Sequence, residues 1–257
     1  CFPLPDGNYI EISGFFSIGK QMSNSLCGSA GNKLFKQSWG YPDYGVYIAD
    51  TDTEDMDLIL LDYRQCGPDG EPVVACVNAE RQTVMLLAPD FETFVLQLKE
   101  LEEVEMNRDA IDMVENDDFS PLLIRICRHC GLPQAESWFR AVARQIVDEQ
   151  QQFILGNDPT SYLMYDLQYM LYTFAFPKAP VTQYLKEYPL IMAEDGDFTT
   201  NGYDAESVAK WMEGRVREGK LKVAGQMIGQ KNCMVFTTEA MTEIVEGCNA
   251  LMKKWPL

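Results

Sequence analysis

Residues 45–87 read GVYIADTDTEDMDLILLDYRQCGPDGEPVVACVNAERQTVMLL, and the order of apolar runs and turn residues in this stretch dictates an antiparallel sheet. Val46-Tyr47-Ile48, Asp57-Leu58-Ile59-Leu60-Leu61, Val73-Val74-Ala75-Cys76-Val77 and Thr83-Val84-Met85-Leu86-Leu87 are short runs rich in β-branched and large apolar side chains, each bounded by polar or turn-forming residues. Connections this short join neighbouring strands as a meander. Gly67-Pro68-Asp69-Gly70 supports the reading, because Pro68 presets φ at the second turn position and Gly70 suits the fourth. After Pro89 the period changes: Phe91, Phe94, Val95, Leu98 and Leu101 recur at helical spacing, with Asp90 placed to cap the helix.

Toward the N-terminus, Tyr9, Ile10, Ile12, Phe15, Phe16 and Ile18 predict one or two more short strands. Residues 22–33 crowd Ser23, Asn24, Ser25, Gly28, Ser29, Gly31 and Asn32, whose local hydrogen bonds compete with a ladder, and read as a loop. The chain begins at Cys1 rather than Met, which is expected to reflect trimming rather than a lipidated terminus, since Phe2, Pro3, Leu4 and Pro5 are unlike a polar tether.

Toward the C-terminus, residues 102–119 hold Glu102, Glu103, Glu105, Asp109, Asp112, Glu115, Asp117 and Asp118 with few large apolar groups, the composition of a solvated linker or a marginal helix. Ser120-Pro121 then has the pattern of a cap followed by proline at the first helical position, and Gly131 ends that helix. Further helices are marked by Trp138, Phe139, Val142 and Ile146, by Asp158-Pro159 running on through Leu171, by Val208, Trp211, Met212 and Val216, and by Met241 to Met252. Two short strands are expected near 221–225 and 233–236. The expected organisation is therefore a first domain over 1–104, an acidic linker over 105–119 and a mainly helical domain of unassigned role over 120–257. The fold class is α+β: a mainly antiparallel sheet with packing helices, followed by a mainly α domain with a short strand pair.

Composition narrows the function. With 46% hydrophobic and 23% charged residues and no apolar run near the ~18 residues that span a bilayer, the chain has a globular profile without a transmembrane helix. Eight cysteines are scattered without the density of a disulfide scaffold, which suits a reducing cytoplasm. The net charge of −18 is unevenly placed: 23 acids and 7 bases give −16 over residues 1–120, against 16 acids and 14 bases, or −2, over the remainder. Such a field repels nucleic acid and anionic membranes and steers a basic partner toward the first half; solubility alone is the competing explanation.

Trp39-Gly40-Tyr41-Pro42-Asp43-Tyr44-Gly45, followed by Asp57 to Asp62, Tyr63-Arg64-Gln65-Cys66-Gly67-Pro68-Asp69-Gly70-Glu71-Pro72-Val73-Val74 and Asn78-Ala79-Glu80, resembles the signature of the SUKH superfamily in its cell-wall-assembly-regulator (Smi/Knr) branch, over about residues 1–100. The resemblance implies a curved, mainly antiparallel sheet packed by helices and a protein-binding role without catalytic residues. Bacterial members are commonly immunity proteins that block secreted toxins, and fungal members regulate cell-wall synthesis. Family domains usually begin with helices and a segment containing Leu-Pro and Asn-Gly, so the resemblance also implies that the N-terminal part of this module is missing. Independently of the family, Trp39, Gly40, Tyr41, Pro42 and Gly45 form a sharp aromatic turn, while Asp62, Tyr63, Arg64, Gly67, Gly70 and Pro72 end one strand and lead into the next. A structural role for these residues outweighs a role in contacting a partner.

The candidate protein-binding site is the acidic loop with Asp50, Asp52, Glu54, Asp55 and Asp57 between two strands, which would grip the Lys and Arg residues with which a nuclease toxin holds phosphate. A solvated loop is the plain alternative, and the spacing lacks the Gly and terminal Glu of an EF-hand. Cys127-Arg128-His129-Cys130 contains the only histidine, but a zinc site needs two further ligands, and Cys233 and Cys248 are not spaced to supply them. Lys210, Arg215, Arg217, Lys220, Lys222 and Lys231 near a helix and strand pair resemble a winged-helix outline, yet Asp204, Glu206, Glu213 and Glu218 interleave with them. The sequence thus points to a cytoplasmic immunity protein that binds and occludes a basic toxin, with no enzymatic activity, metal or cofactor and no nucleic-acid or membrane partner. A cell-wall-type regulator or scaffold is the alternative, and a thiol or metal enzyme around Cys127 and Cys130 a distant third.

Overall fold

The computed structural model describes residues 1–19, 22–53, 57–192, 198–200, 205–223 and 233–256, together with the backbone but not the side chain of Ala205. The chain divides into two compact units, Cys1–Glu105 and Met106–Leu257. The first opens with three short strands, β1 (Phe2–Pro3), β2 (Tyr9–Ile10) and β3 (Ile12–Phe15), then helix α1 (Asn32–Ser38). Strands β4 (Gly45–Thr51), β5 (Leu58–Asp62), β6 (Val73–Asn78) and β7 (Thr83–Ala88) follow, and then helix α2 (Phe91–Leu96). The main sheet has the order β3-β4-β5-β6-β7, every neighbouring pair antiparallel, while β1 and β2 pair separately. The expected meander is present, and the chain is α+β.

The pleat divides the apolar residues of the sheet between two cores. On one face Ala49, Ile59, Val74 and Cys76 are buried with Phe2, Ile10 and Phe94 of α2. On the other, Tyr47, Leu58, Leu60 and Val77 are buried with Phe35 of α1 and Tyr41. A register shift between Tyr47 and Ala49 sends Ile48 to the first core. Because both faces are covered, β5 and β6 read as continuous apolar runs rather than alternating ones.

Helix α1 was missed by the sequence reading because its stability is not local. No side chain caps its start; instead Asn32 accepts from the Tyr47 amide at 2.7 Å and donates to the Tyr47 carbonyl at 2.9 Å, fastening the helix to β4. Helix α2 starts where expected: Asp90 accepts from the Thr93 amide at 2.6 Å.

The acidic stretch expected as a linker or marginal helix lies mostly in helix α3 (Leu101–Asn116), which runs through the division between the units. Its Val104 and Val114 are buried in spite of the surrounding carboxylates. The second unit continues with α4 (Pro121–His129), α5 (Ala135–Gln150), α6 (Pro159–Ala175), α7 (Val181–Glu187), a 3-10 turn at Tyr188–Leu190, α8 (Ala205–Arg217), strands β8 (Leu221–Val223) and β9 (Met234–Phe236), and α9 (Thr238–Lys254). Ser120 caps α4 through the Leu123 amide, Asp158 caps α6 through the Ser161 amide, and Gly131 follows α4 at φ +75°. The two short strands pair antiparallel, as expected, though 224–232 lies outside the described residues. One core spans the unit, from Val114, Phe119 and Phe139 to Trp211, Phe236 and Cys248.

Candidate functional site

The turn between β4 and β5 carries the acidic loop. Thr51 is buried, donates its hydroxyl to the Asp57 carbonyl at 2.9 Å and lies 3.1 Å from the Thr53 hydroxyl, which accepts from the Asp57 amide at 3.1 Å. The threonines that separate the acids therefore fasten the turn. The Asp57 side chain accepts from Asn78 Nδ2 at 2.6 Å, and Asn78 Oδ1 accepts from the Arg81 amide at 2.6 Å. Asn78 is buried, so this chain of bonds ties the β4–β5 turn to the β6–β7 turn. Asp57 thus serves the fold, whereas Asp50 is half-buried on β4 and Asp52 is exposed, its amide donating to the Glu11 carbonyl at 3.1 Å. Among the described residues no ion pair engages Asp50, Asp52 or Asp57. Glu54 and Asp55 lie outside the described residues.

The motif residues gather at the other end of the same strands, where Gly45 of β4 faces Asp62 of β5. A Cβ at Gly45 would stand 2.1 Å from the Leu61 carbonyl oxygen, so only glycine fits the approach of the two strands. Gly40, at φ +79°, makes the turn between Trp39 and Tyr41. Tyr41 is buried edge-on to Tyr47 at 5.3 Å, and the Tyr47 hydroxyl donates to the Pro42 carbonyl at 2.9 Å. Burial pushes the Tyr41 phenol up to about 12 and that of Tyr47 higher, so both stay neutral donors.

The second motif segment is equally tied down. Arg64 donates Nε to both oxygens of Asp62 at 3.0 Å and Nη2 to Oδ2 at 2.6 Å, and its guanidinium lies 3.9 Å from the centre of the Tyr44 ring. Those bonds hold the Asp62 carboxyl below the usual carboxylate range although it is buried. The Gly70 amide donates to the Gly67 carbonyl at 3.2 Å, closing the turn over Pro68 and Asp69, and Pro72 is buried. Tyr44, Gly45, Tyr63, Gly67 and Pro68 line an open cleft of about 450 Å³. Tyr41, Asp62 and Pro72 are thus buried in the fold, whereas Trp39, packed on Phe35, and Arg64, paired with Asp62, are exposed along with Asp43, Gln65, Cys66, Pro68, Asp69 and Glu71.

In the second unit Cys127, Cys130, Lys210, Arg215 and Lys220, singled out for other chemistries, have partners or lie wholly or partly buried. Cys127 and Cys130 sit on and just after α4, and burial pushes the Cys127 thiol up to about 12, away from a reactive thiolate. His129 is exposed beside them, and among the described residues no three His, Cys, Asp or Glu side chains are grouped to hold a metal ion. Lys210 pairs with Glu206, Arg215 with Asp166 and Glu218, and Lys220 with Glu243. Lys231 and Asp204 lie outside the described residues.

One feature escaped the sequence reading entirely. Val84, Met85 and Leu86 of β7 and Phe91, Val95 and Leu96 of α2 are all exposed, although their apolar character reads as core. The signal that could have found them is position: β7 is the last strand of the meander.

No curated protein and no solved structure matches the chain significantly. Residues 1–97, which hold β1 to β7, α1 and α2, match the SMI1 / KNR4 family (SUKH-1), so the sheet-bearing part of the chain carries the SUKH-1 pattern.

Proposed function

We propose that this chain is a toxin-neutralising immunity protein that acts in the cytoplasm, its SUKH-1 part binding a basic protein toxin and occluding it without covalent chemistry. The observation that carries the reading is where the charge lies. The unit that contains the family match, residues 1–105, holds 18 acids and 6 bases. Such a surface raises the encounter rate with a basic partner and penalises acidic ones. Within it, Asp50 stands near the end of β4 and Asp52 on the turn that follows, held by Thr51, Thr53, Asp57 and Asn78, so they meet a partner's cations with little ordering left to complete. Carboxylates so placed stand in for the phosphates that a nuclease toxin grips.

The reading is tested by binding the wild-type chain and an Asp50→Lys, Asp52→Lys variant to the toxin candidate encoded beside its gene, at two salt concentrations. Loss of affinity and a shallower salt dependence in the variant support the reading. Unchanged affinity with an unchanged salt slope removes the acidic turn from the interface.

A further inference from the structure

Strand β7 ends the five-stranded sheet at one edge and, among the described residues, pairs with β6 alone. An edge strand presents unpaired N–H and C=O groups to another chain, and proteins blunt such edges with charge, proline, bulges or short length. The opposite edge is blunted in this way: β3 has four residues and a register shift between Ile12 and Gly14. β7 has six residues, TVMLLA, with no charge and no proline, and its register shift falls at the far end, where Val74 and Ala75 of β6 meet Ala88 and Leu86.

Its side chains are open on both faces of the sheet. Val84 and Leu86 lie opposite Val77 and Ala75 and are 43% and 65% exposed; Met85 lies opposite Cys76 and is 42% exposed. Beside them α2, which packs on β7, exposes Phe91, Val95 and Leu96. Six large apolar side chains are exposed at one unblunted edge, Met85 on the face that α2 covers and Val84 and Leu86 on the other, and exposed apolar groups gathered in this way mark a protein contact.

We propose that β7 and α2 form a docking edge that takes up an extended, apolar and basic strand of a partner protein, main chain against main chain; the identity of that partner as a toxin rests on the reading given above. Charge selects this occupant over a second copy of the chain. Exposed Glu80, beside Arg81 in the turn before β7, and exposed Glu92, in the first turn of α2, flank β7 in sequence, in a unit with three times as many acids as bases. A homodimer through this edge would face like against like, whereas a strand rich in Lys and Arg meets a unit of predominantly acidic charge.

The test uses the full chain and a synthetic probe: an acetylated and amidated heptapeptide of alternating lysine and valine, compared with the same peptide N-methylated at every backbone amide. Methylation keeps the charge and side chains but removes the strand-pairing donors. The proposal predicts amide shift changes at β7 and α2, slowed hydrogen exchange at residues 83–87, and affinity at least about tenfold weaker for the methylated peptide. A Val84→Thr, Leu86→Thr variant, which keeps charge and strand propensity, should bind the unmethylated peptide several-fold more weakly. Equal binding of both peptides, shifts confined to Asp50 and Asp52, or no binding at millimolar peptide would overturn the proposal. So would a concentration-dependent dimer, seen by sedimentation, that the double variant abolishes, because the edge would then belong to a second copy. The probe contains no toxin, so its outcome is independent of whether the chain neutralises one.

Discussion

Replacing Arg215 with methionine should destabilise the second unit heavily at neutral pH and much less in mild acid. The Asp166 carboxylate is buried within α6, where it accepts from Arg215 Nε at 2.8 Å, Arg215 Nη2 at 2.8 Å and the Trp211 indole at 2.8 Å. Burial already pushes the Asp166 carboxyl above its ordinary value, opposed by Arg215, Trp211 and Lys220. Removing the guanidinium strands a buried charge, which costs about 3–5 kcal/mol, and side-chain exposures of only 13% and 8% leave little room for solvent to screen it. A folded-state value raised above the unfolded one means that the cost is complete above the folded-state value. It shrinks as pH falls toward the unfolded value, because the folded protein then takes up the proton first. Urea unfolding followed by tryptophan fluorescence is a suitable assay, since Trp211 sits in the pair and Trp138 and Trp255 share its unit. The expected loss is about 3 kcal/mol at about pH 7.5, falling to about 1–2 kcal/mol near pH 5. A loss below about 1 kcal/mol at neutral pH, or one that does not change with pH, would mean that Arg215 does not hold the Asp166 charge in the folded chain.

Further predictions concern the sheet and the thiols. Gly45→Ala should cost about 2 kcal/mol or more, or abolish folding of the first unit, because its Cβ would meet the Leu61 carbonyl at 2.1 Å; Gly14→Ala, whose nearest neighbour is Asp50 Oδ1 at 3.6 Å, should be tolerated, both read by the fluorescence of Trp39 during unfolding. Asp57→Ala should cost about 1–2 kcal/mol by leaving the Nδ2 of buried Asn78 without its carboxylate acceptor, whereas exposed Asp52→Ala should change stability by less than about 0.5 kcal/mol, a contrast that separates scaffold from surface on one turn. Burial pushes the thiols of Cys76, Cys127 and Cys248 up to about 12, so at mildly alkaline pH they stay neutral, and iodoacetamide should modify them at least about 100-fold more slowly than exposed Cys27 and Cys66 until the chain unfolds. Rapid alkylation of Cys127 in the folded chain would restore a case for thiol chemistry.

The parts of the fold that could be read in the sequence are those that short-range physics determines. β4 to β7 follow from apolar runs separated by turn residues, and α2, α4 and α6 from Asp90, Ser120 and Asp158, each of which accepts a hydrogen bond from an amide three residues on. α1 was hidden because its anchor is the pair of bonds between Asn32 and Tyr47, fifteen residues apart. α3 was hard to recognise because its many carboxylates obscure Val104 and Val114, which are buried. The acidic turn was visible as composition, but the different work of Asp52 and Asp57 was not, since it depends on Asn78 arriving from β6. The open edge was hidden for the opposite reason: TVMLLA has the composition of a core strand, and its place at the end of the meander, not its residues, marks its outer side as uncovered among the described residues.

The most direct measurement is growth of cells that co-express this chain with the toxin candidate encoded next to it. Growth should be restored, and the two proteins should leave a gel-filtration column as one stoichiometric complex. Continued growth arrest, with the chain folded and expressed but eluting alone, would contradict it.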